Sequence, residues 1–484
     1  MKICFLCDLH LPFWKDALQY RVLDWAVEQI RDQKPQCVVC AGDVTCDGNM
    51  EVYTYFLERM RELEIPFLYI PGNSDLRSEQ TRGQIEKMAS DCRNVIDSVE
   101  IYMLNDCTGE ISEQQYACLE KATVQSIVVM HHPIECLETP HRERMERWRQ
   151  KHSETLVFSG HMHIFAVQEQ KISLQALDPD KAQGECPCLN YYDTDSRKVE
   201  KVYFACPIPE DFREMVGISC YRPENDIPFA IAEKIQNLEL RPNVGDYDRE
   251  KLKRMLKKWR KQGGENLSVH LPDLFYEDGR VYSEESLDVL LGLTKELGID
   301  RFTLHVPHVP VGVVEKEDLV LEKIAAFFAE KINRIERNIV VGVENMHMNV
   351  AEKADHTRRF GYLPEECLAF MEILRKYCRH RIGINFDIGH ARNNLPYSQK
   401  YQISTWLSMV GKELVGCHLH QVTLENGQYN NHMPITEVYG SLISYASFFK
   451  YWEEGEIRKV PLVFEMRSKQ AYPVTLEAFG IHKP

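Results

Sequence analysis

Cys4-Phe5-Leu6-Cys7-Asp8-Leu9-His10 begins as an apolar run and ends in two side chains able to ligate a metal. Residues 1–7 have the length and composition of a buried strand, and on an extended segment positions two apart face the same way. Asp8 and His10 are therefore expected side by side at the strand's carboxyl end, where open α/β sheets place their ligands. A single Asp-x-His says little; its weight depends on how the later strands end.

They end alike. A helical spacing of apolar residues over 14–34 stops at Pro35, and a strand at 37–41 breaks into Gly42-Asp43-Val44-Thr45-Cys46-Asp47-Gly48. A helix at 51–63 leads to a strand at 67–70 that ends in Pro71-Gly72-Asn73-Ser74-Asp75. Apolar runs at 126–130 and 155–158 end in His131-His132-Pro133 and Ser159-Gly160-His161-Met162-His163. Asp8, His10, Asp43, Asn73, His131, His161 and His163 thus stand at the ends of five runs. Any one alone reads as an ordinary satisfied polar group, but polar residues gathered at strand ends are where chemistry sits on such sheets.

These motifs, Asp-x-His, Gly-Asp with a glycine five on, Gly-Asn-x-Asp, His-His-Pro and Gly-His-x-His, resemble the signature of calcineurin-like metallophosphoesterases over residues 1–210. The resemblance implies a four-layer α/β/β/α sandwich. It also implies two divalent metals (Mn, Fe, Zn or Co), with Asp8, His10 and His163 on one, Asn73, His131 and His161 on the other, and Asp43 bridging. Asp43 and His131 would be catalytic as well as ligating. Family members commonly carry a histidine after the asparagine, where it helps protonate the leaving group. This chain has Ser74 there, and His132 and His141 are candidate substitutes. Alternating patterns at 171–174 and 201–204 are expected to complete the second sheet, and 207–211 marks the boundary to a domain spanning 214–484.

At 484 residues the chain exceeds what one core usually serves. Its formal net charge is −15, of which about −13 falls before residue 213. That balance disfavours contact with a phosphate backbone, so a small phosphorylated substrate is expected ahead of nucleic acid. There is no run of 18 or so apolar residues, and Met1-Lys2 enters the first strand directly, so no membrane partner and a cytoplasmic location are expected. The pairs Cys4/Cys7 and Cys37/Cys40 lie in strand-like runs, where positions three apart face opposite ways. Reduced, buried cysteine fits better than zinc or disulfide.

From residue 216 short apolar strands alternate with long amphipathic helices, which means a parallel sheet. Strands are expected at 216–221, 237–241, 267–270, 302–306, 339–344, 382–387, 416–420 and 461–465, with helices including 247–262, 284–297, 319–335, 364–380 and 435–454. Eight such units in about 270 residues is the size of a (β/α)₈ TIM barrel. The strand ends, where that fold does its chemistry, carry His270, His305, Glu344, Asp387 with His390, His418 with His420, and Glu465, and His432 follows strand seven.

This arrangement resembles the xylose-isomerase-like barrels, which include sugar-phosphate isomerases, epimerases and the endonuclease IV type of apurinic endonuclease. The resemblance makes Glu344, Asp387, His418 and Glu465 the shared metal ligands. Glu344 and Glu465 would exchange protons in the isomerases. His270, His305, His390 and His432 would complete the endonuclease's set, for one to three metals in all (Zn or Mn). Asn430 replaces an aspartate of that set, and Arg241 or Arg467 could clamp a phosphate or form structural ion pairs. Three functions stay open: a small-molecule phosphoesterase fused to an isomerase, epimerase or hydrolase; a nucleic-acid repair phosphodiesterase; and a phosphoesterase whose barrel only senses. Composition says nothing about oligomeric state.

Overall fold

The computed structural model describes residues 1–282, 284–316, 319–468 and 470–481; the last three residues of the expected barrel domain lie outside this set. It divides into two compact units, Met1–Pro207 with Tyr439–Ser447, and Ile208–Val438 with Phe448–Pro484.

The first unit is built on β1 (Lys2–Leu6), whose apolar residues are buried on both faces, as a central parallel strand requires. It pairs in parallel with β2 (Cys37–Cys40), which pairs in parallel with β3 (Phe67–Tyr69). A second sheet holds β4 (Arg93–Ile96), β5 (Val99–Leu104), β6 (Ile127–Met130), β7 (Leu156–Ser159), β8 (Ala166–Gln168) and β9 (Lys171–Ser173), in the order β4-β5-β6-β7-β9-β8. Ile3, Phe5, Val39 and Leu68 from one sheet meet Met103, Val129, Phe158 and Ile172 from the other in a common core. The Phe5 and Phe158 rings stack across it at 4.4 Å. On the second sheet's outer face, Tyr102, Leu104, Val128 and Met130 pack against Tyr116, Met145 and Trp148 of helices Glu113–Leu119 and Thr139–Lys151. Helix Met50–Arg61 starts where the Asn49 side chain accepts the N–H groups of Glu51 and Val52, and its Tyr53 and Phe56 pack on Tyr69 and Phe67. Helices therefore flank two sheets.

One expectation needs correcting. Of the strands that follow β7, only β8 and β9 join the second sheet; β10 (Cys188–Asp193) and β11 (Lys198–Tyr203) extend the first. β10 lies antiparallel to β1, with Tyr191 opposite Cys4, and sends Tyr192 into the inter-sheet core 5.2 Å from Phe158. An alternating pattern reveals that one face is buried, but not in which sheet.

The second unit closes eight parallel strands into a barrel: Val216–Cys220, Asn237–Leu240, Asn266–His270, Arg301–Leu304, Val340–Glu344, Arg381–Asp387, Leu414–Leu419 and Leu462–Phe464. The eighth pairs back onto the first, Val216 opposite Leu462. All eight lie where the sequence pattern puts them, to within one or two residues at most ends. Helices follow each strand, among them Arg249–Lys261, capped by Asp248, and Pro364–Tyr377, whose proline occupies a first-turn position where its missing N–H is no loss. The expected helix at 435–454 starts only at Ala446, ending at Glu453. The stretch before it is held by irregular bonds such as Tyr439 Oη to Cys206 O at 2.6 Å and Gly184 N to Tyr439 O at 2.9 Å, which apolar spacing alone does not reveal.

No described helix is long and apolar enough to cross a membrane. All four cysteines of the two Cys-x-x-Cys pairs are buried free thiols.

Phe158 joins the two sheets at their centre, so Phe158→Ala is expected to cost about 3–5 kcal/mol. Urea unfolding of the N-terminal unit measures this, and a loss below about 1 kcal/mol would place the core's weight elsewhere.

Candidate metal centres

β1 ends at Leu6, and Asp8 and His10 lie beyond it, so the strand-alternation argument for their pairing does not hold. Both have positive φ, 51° and 45°, as do Asp43 (54°), His161 (68°) and His163 (57°). Left-handed backbone is uncommon for such residues and persists only where surrounding bonds over-determine it. Here Asp8 N donates to Gly42 O and His10 N to Asp43 O, both at 3.0 Å, so two strand-end loops are laced together. The Asp75 carboxylate locks them to the third, accepting from Val44 N, Thr45 N and Gly72 N at 3.2, 2.7 and 2.9 Å. Gly72 passes so close that an added Cβ would stand 2.2 Å from Asp43 Oδ1.

The lacing brings Asp8, His10, Asp43 and His163 into one group whose potential ligand atoms all lie within 4.8 Å of one another. The Nε2 atoms of His10 and His163 face each other at 3.2 Å. Beside them, Asn73 Oδ1 lies 3.0 Å from His131 Nε2 and 2.9 Å from His161 Nδ1. Asp43 reaches both sets, at 3.7 Å from His10 Nε2 and 3.5 Å from His131 Nε2.

Ligation needs ionised carboxylate and neutral imidazole, and Asp43, His161 and His163 shift that way while Asp8 and His131 shift the other. Burial alone would raise the Asp43 carboxyl, but His131, His10 and hydrogen bonds from Ser74 hold it well below the usual carboxylate range. Burial lowers His163 to about 3 and His161 to about 4. Asp8 is pushed up to about 7 by burial, against the pull of His131, while His131, opposed by burial, is raised to about 9 by Asp43 and Asp8. A donor set of converging ring nitrogens, carboxylates and an amide oxygen fits divalent cations of the Mn–Zn series.

Ser74 is buried; its hydroxyl donates to Thr45 O at 2.6 Å and its N–H to Asp43 Oδ1 at 2.7 Å. It supports the site from behind Asp43. His132 also clusters with His131 and His161, its Nδ1 3.0 Å from Asp106 O. His141 contacts Ile111 N and stacks on Tyr116 instead. Asp106, which sequence reasoning missed, accepts the N–H groups of His131 and His132 at 2.7 and 2.8 Å. It follows β5, a strand that was not expected; the strand-end rule would otherwise have found it.

In the barrel, Glu344, Asp387, His418 and Glu465 form one buried group, and His270 and His305 form a second that shares Glu344. His418 Nδ1 stands 2.8 Å from Glu465 Oε2 and 3.3 Å from Glu344 Oε1. A register shift opposite Ile384 and Asn385 precedes the Asp387–His418 pair, a bulge next to the site it aims. His390 and His432 sit at the margin, His390 Nδ1 3.4 Å from Glu344 and His432 Nδ1 3.6 Å from Glu465. The buried His305 Nε2 and His432 Nδ1 have no hydrogen-bond partner among the described residues and face carboxylates at 3.6 Å. Such orphaned nitrogens fit a cation between them and the carboxylates. Burial alone would raise the Glu344 carboxyl, but His418 and His305 hold it well below its usual range, and burial lowers His432 to about 3.

Asn430 is exposed on the hairpin strand Gln428–Met433. Arg241 pairs with Glu465 at 2.8 Å, the ion-pair alternative. Glu239 and Asn345 were missed by sequence reasoning. Glu239 lies in strand two, two residues before Arg241 just past the strand's end, a charged pair at period two that could have signalled it. Asn345 Oδ1 accepts Asp387 N at 2.6 Å and its carbonyl lies 3.0 Å from His390 Nδ1.

Residues 229–479 match the family model described as the xylose isomerase-like TIM barrel, and the chain belongs to that family. Residues 1–165 match that of the calcineurin-like phosphoesterases, which use divalent metals. Over 194 residues the chain is 25% identical to a probable cyclic nucleotide phosphodiesterase of Xenorhabdus bovienii, covering 34% of this chain and 78% of that protein. It is 28% identical over 157 residues to a probable glycerophosphodiester phosphodiesterase of Arcobacter nitrofigilis, covering 27% of this chain and 57% of that one. A solved D-tagatose 3-epimerase-like protein overlaps 55% of this chain and 96% of its own at 17% identity and a TM-score of 0.40. The protein is a hydrolase of phosphoesters fused to a xylose isomerase-like barrel.

Because Gly72 cannot accept a Cβ without displacing Asp43, Gly72→Ala is expected to lower the metal content of the purified chain. Elemental analysis beside wild type measures this; unchanged content would mean that Asp43 is not a ligand.

Proposed function

We propose that the N-terminal unit is a dinuclear phosphodiesterase for a small phosphorylated compound, a nucleotide or sugar phosphate. In this reading the barrel is a second metal centre, acting on a related sugar or phosphate compound. The observation that carries the first part is Asp43 standing within 3.7 Å of His10 and 3.5 Å of His131, in reach of both ligand sets. Asp8, His10 and His163 are assigned to one ion, Asn73, His131 and His161 to the other, and Asp43 to both. Divalent ions held there supply charge to the phosphoryl oxygens and acidify a coordinated water. The chain's own groups fix the geometry: Asp75 and Asp106 hold the loops, and Ser74 N–H orients Asp43. Ser74 itself is buried and offers no proton to a leaving group, which suits diesters or good leaving groups. Both curated relatives are named for diesters.

For the barrel, phosphoester hydrolysis is favoured over isomerisation. Glu344 belongs to two adjacent ligand groups, an arrangement suited to two ions acting on one phosphate. Glu465, the other proton-exchanging carboxylate of an isomerase, is paired with Arg241 at 2.8 Å and accepts from Tyr221 at 3.2 Å. Cleavage of an abasic nucleic-acid strand is the second reading, supported by His390 and His432 beside those groups and opposed by the net charge of −15.

The test is hydrolysis of bis-p-nitrophenyl phosphate, nucleotides, sugar phosphates and an abasic duplex with Mn²⁺ or Zn²⁺, by wild type, Asp43→Ala and Glu344→Ala. Small diesters are expected to be cleaved. Asp43→Ala should lower kcat/KM by more than about 100-fold, since losing a ligand exceeds the 10–100-fold typical of losing its outer support. Nicking of the abasic duplex that disappears in Glu344→Ala would replace the small-substrate reading with the repair one.

A further inference from the structure

Every ligand proposed for the barrel sits at or past the end of its strand except His418, which lies inside strand seven, fully buried. Its two ring nitrogens face opposite ways. Nδ1 looks toward the carboxylates of Glu465, Glu344 and Asp387, at 2.8, 3.3 and 3.8 Å. Nε2 looks down to Glu239 Oε1 at 3.0 Å, an ion-pair contact that falls outside hydrogen-bond geometry, and neither of these two atoms has a hydrogen-bond partner among the described residues. Glu239 is itself 1% exposed on strand two. Its other oxygen accepts from Thr303 Oγ1 at 2.7 Å, on strand four, and Ser268 Oγ at 3.3 Å, on strand three.

We infer that Glu239 is the positioning residue of the barrel's metal centre: it holds the proton of His418 on Nε2 and so presents Nδ1, unprotonated, to the cation. This rests on the reading of the barrel as a metal centre. A neutral imidazole carries one proton and two candidate sites, and only the tautomer protonated at Nε2 leaves Nδ1 free to ligate. Ligating histidines usually give their other N–H to a carboxylate, backbone carbonyl or water, which fixes ring and tautomer together. Glu239 occupies that place. An ionised carboxylate so deep in a barrel would cost several kcal/mol without compensation. The two hydroxyls and Arg241 Nη1, 3.5 Å away, supply it and keep Glu239 from rotating toward the cation. Thr303, Ser268 and Glu239 thus anchor His418 from three neighbouring strands of a rigid barrel wall.

The experiment is Zn²⁺ and Mn²⁺ binding to the full chain by chelator competition, for wild type, His418→Ala, Glu239→Ala and the isosteric Glu239→Gln, with thermal unfolding of each in chelator and in metal. His418→Ala identifies the class of sites that belongs to the barrel. Glu239→Ala is expected to weaken that class 10–100-fold. Glu239→Gln, whose amide oxygen still accepts the Nε2 proton, should recover part of the loss. The metal-induced rise in Tm should shrink in the same order. Histidine ¹⁵N spectra of the Zn²⁺-loaded chain should show one ring protonated at Nε2 that is absent in His418→Ala and perturbed in Glu239→Ala. Wild-type affinity in both Glu239 variants, or equal Tm losses with and without metal, would overturn the inference, leaving Glu239 a structural ion-pair partner. If His418→Ala changes no class of sites, the failure lies with the metal-centre reading instead.

Discussion

A carboxylate or imidazolium removed from water costs several kcal/mol unless opposite charge and hydrogen-bond donors replace its hydration, and both units of this chain bury such groups densely. Asp8, Asp43, Asp75 and Asp106 are all at most 2% exposed in the first unit, as are Glu239, Glu344 and Asp387 in the second. None could stay there alone. Each is surrounded by histidine rings, backbone N–H groups or hydroxyls, and those partners come from different strand ends. The need to satisfy buried charge therefore decides how the loops above each sheet must run.

The two units meet this need differently. In the sandwich the candidate ligands stand on loops, and the geometry is secured by backbone: five of these residues have positive φ, and Asp75 and Asp106 gather three and two N–H groups. In the barrel most ligands stand on or just past the strands, and the geometry is secured by side chains reaching across the interior, such as Thr303 to Glu239 and Asn345 to Asp387. Gly389 illustrates the density this requires, since a Cβ there would fall 1.8 Å from the His420 ring.

Much of both folds was legible because burial imposes periodicity. Runs such as 37–41 and 127–130 are apolar throughout because parallel strands are covered on both faces, and the alternation of strand and helix after residue 216 admits few topologies. The strand-end rule brought out the seven residues expected as ligands in the sandwich and nine candidates in the barrel, of which the family resemblance implied eight. It failed where the strand itself was not recognised, as with Val99–Leu104 and hence Asp106, and where the functional side chain lies within a strand rather than at its end, as with Glu239.

By itself the sequence determined the α/β class of both units, which strand ends carry candidate ligands, and that the cysteines of the two Cys-x-x-Cys pairs are buried, because each follows from local pattern and burial. Tertiary structure alone decided which sheet receives Cys188–Asp193, that Asp8 and His10 converge through left-handed turns rather than strand alternation, that Arg241 is committed to Glu465, and that His418 is backed by Glu239. These depend on contacts between residues as far apart as Cys4 and Tyr191 or Glu239 and His418. No local pattern encodes them, because their energies arise only when distant charges and rings share one water-excluded space.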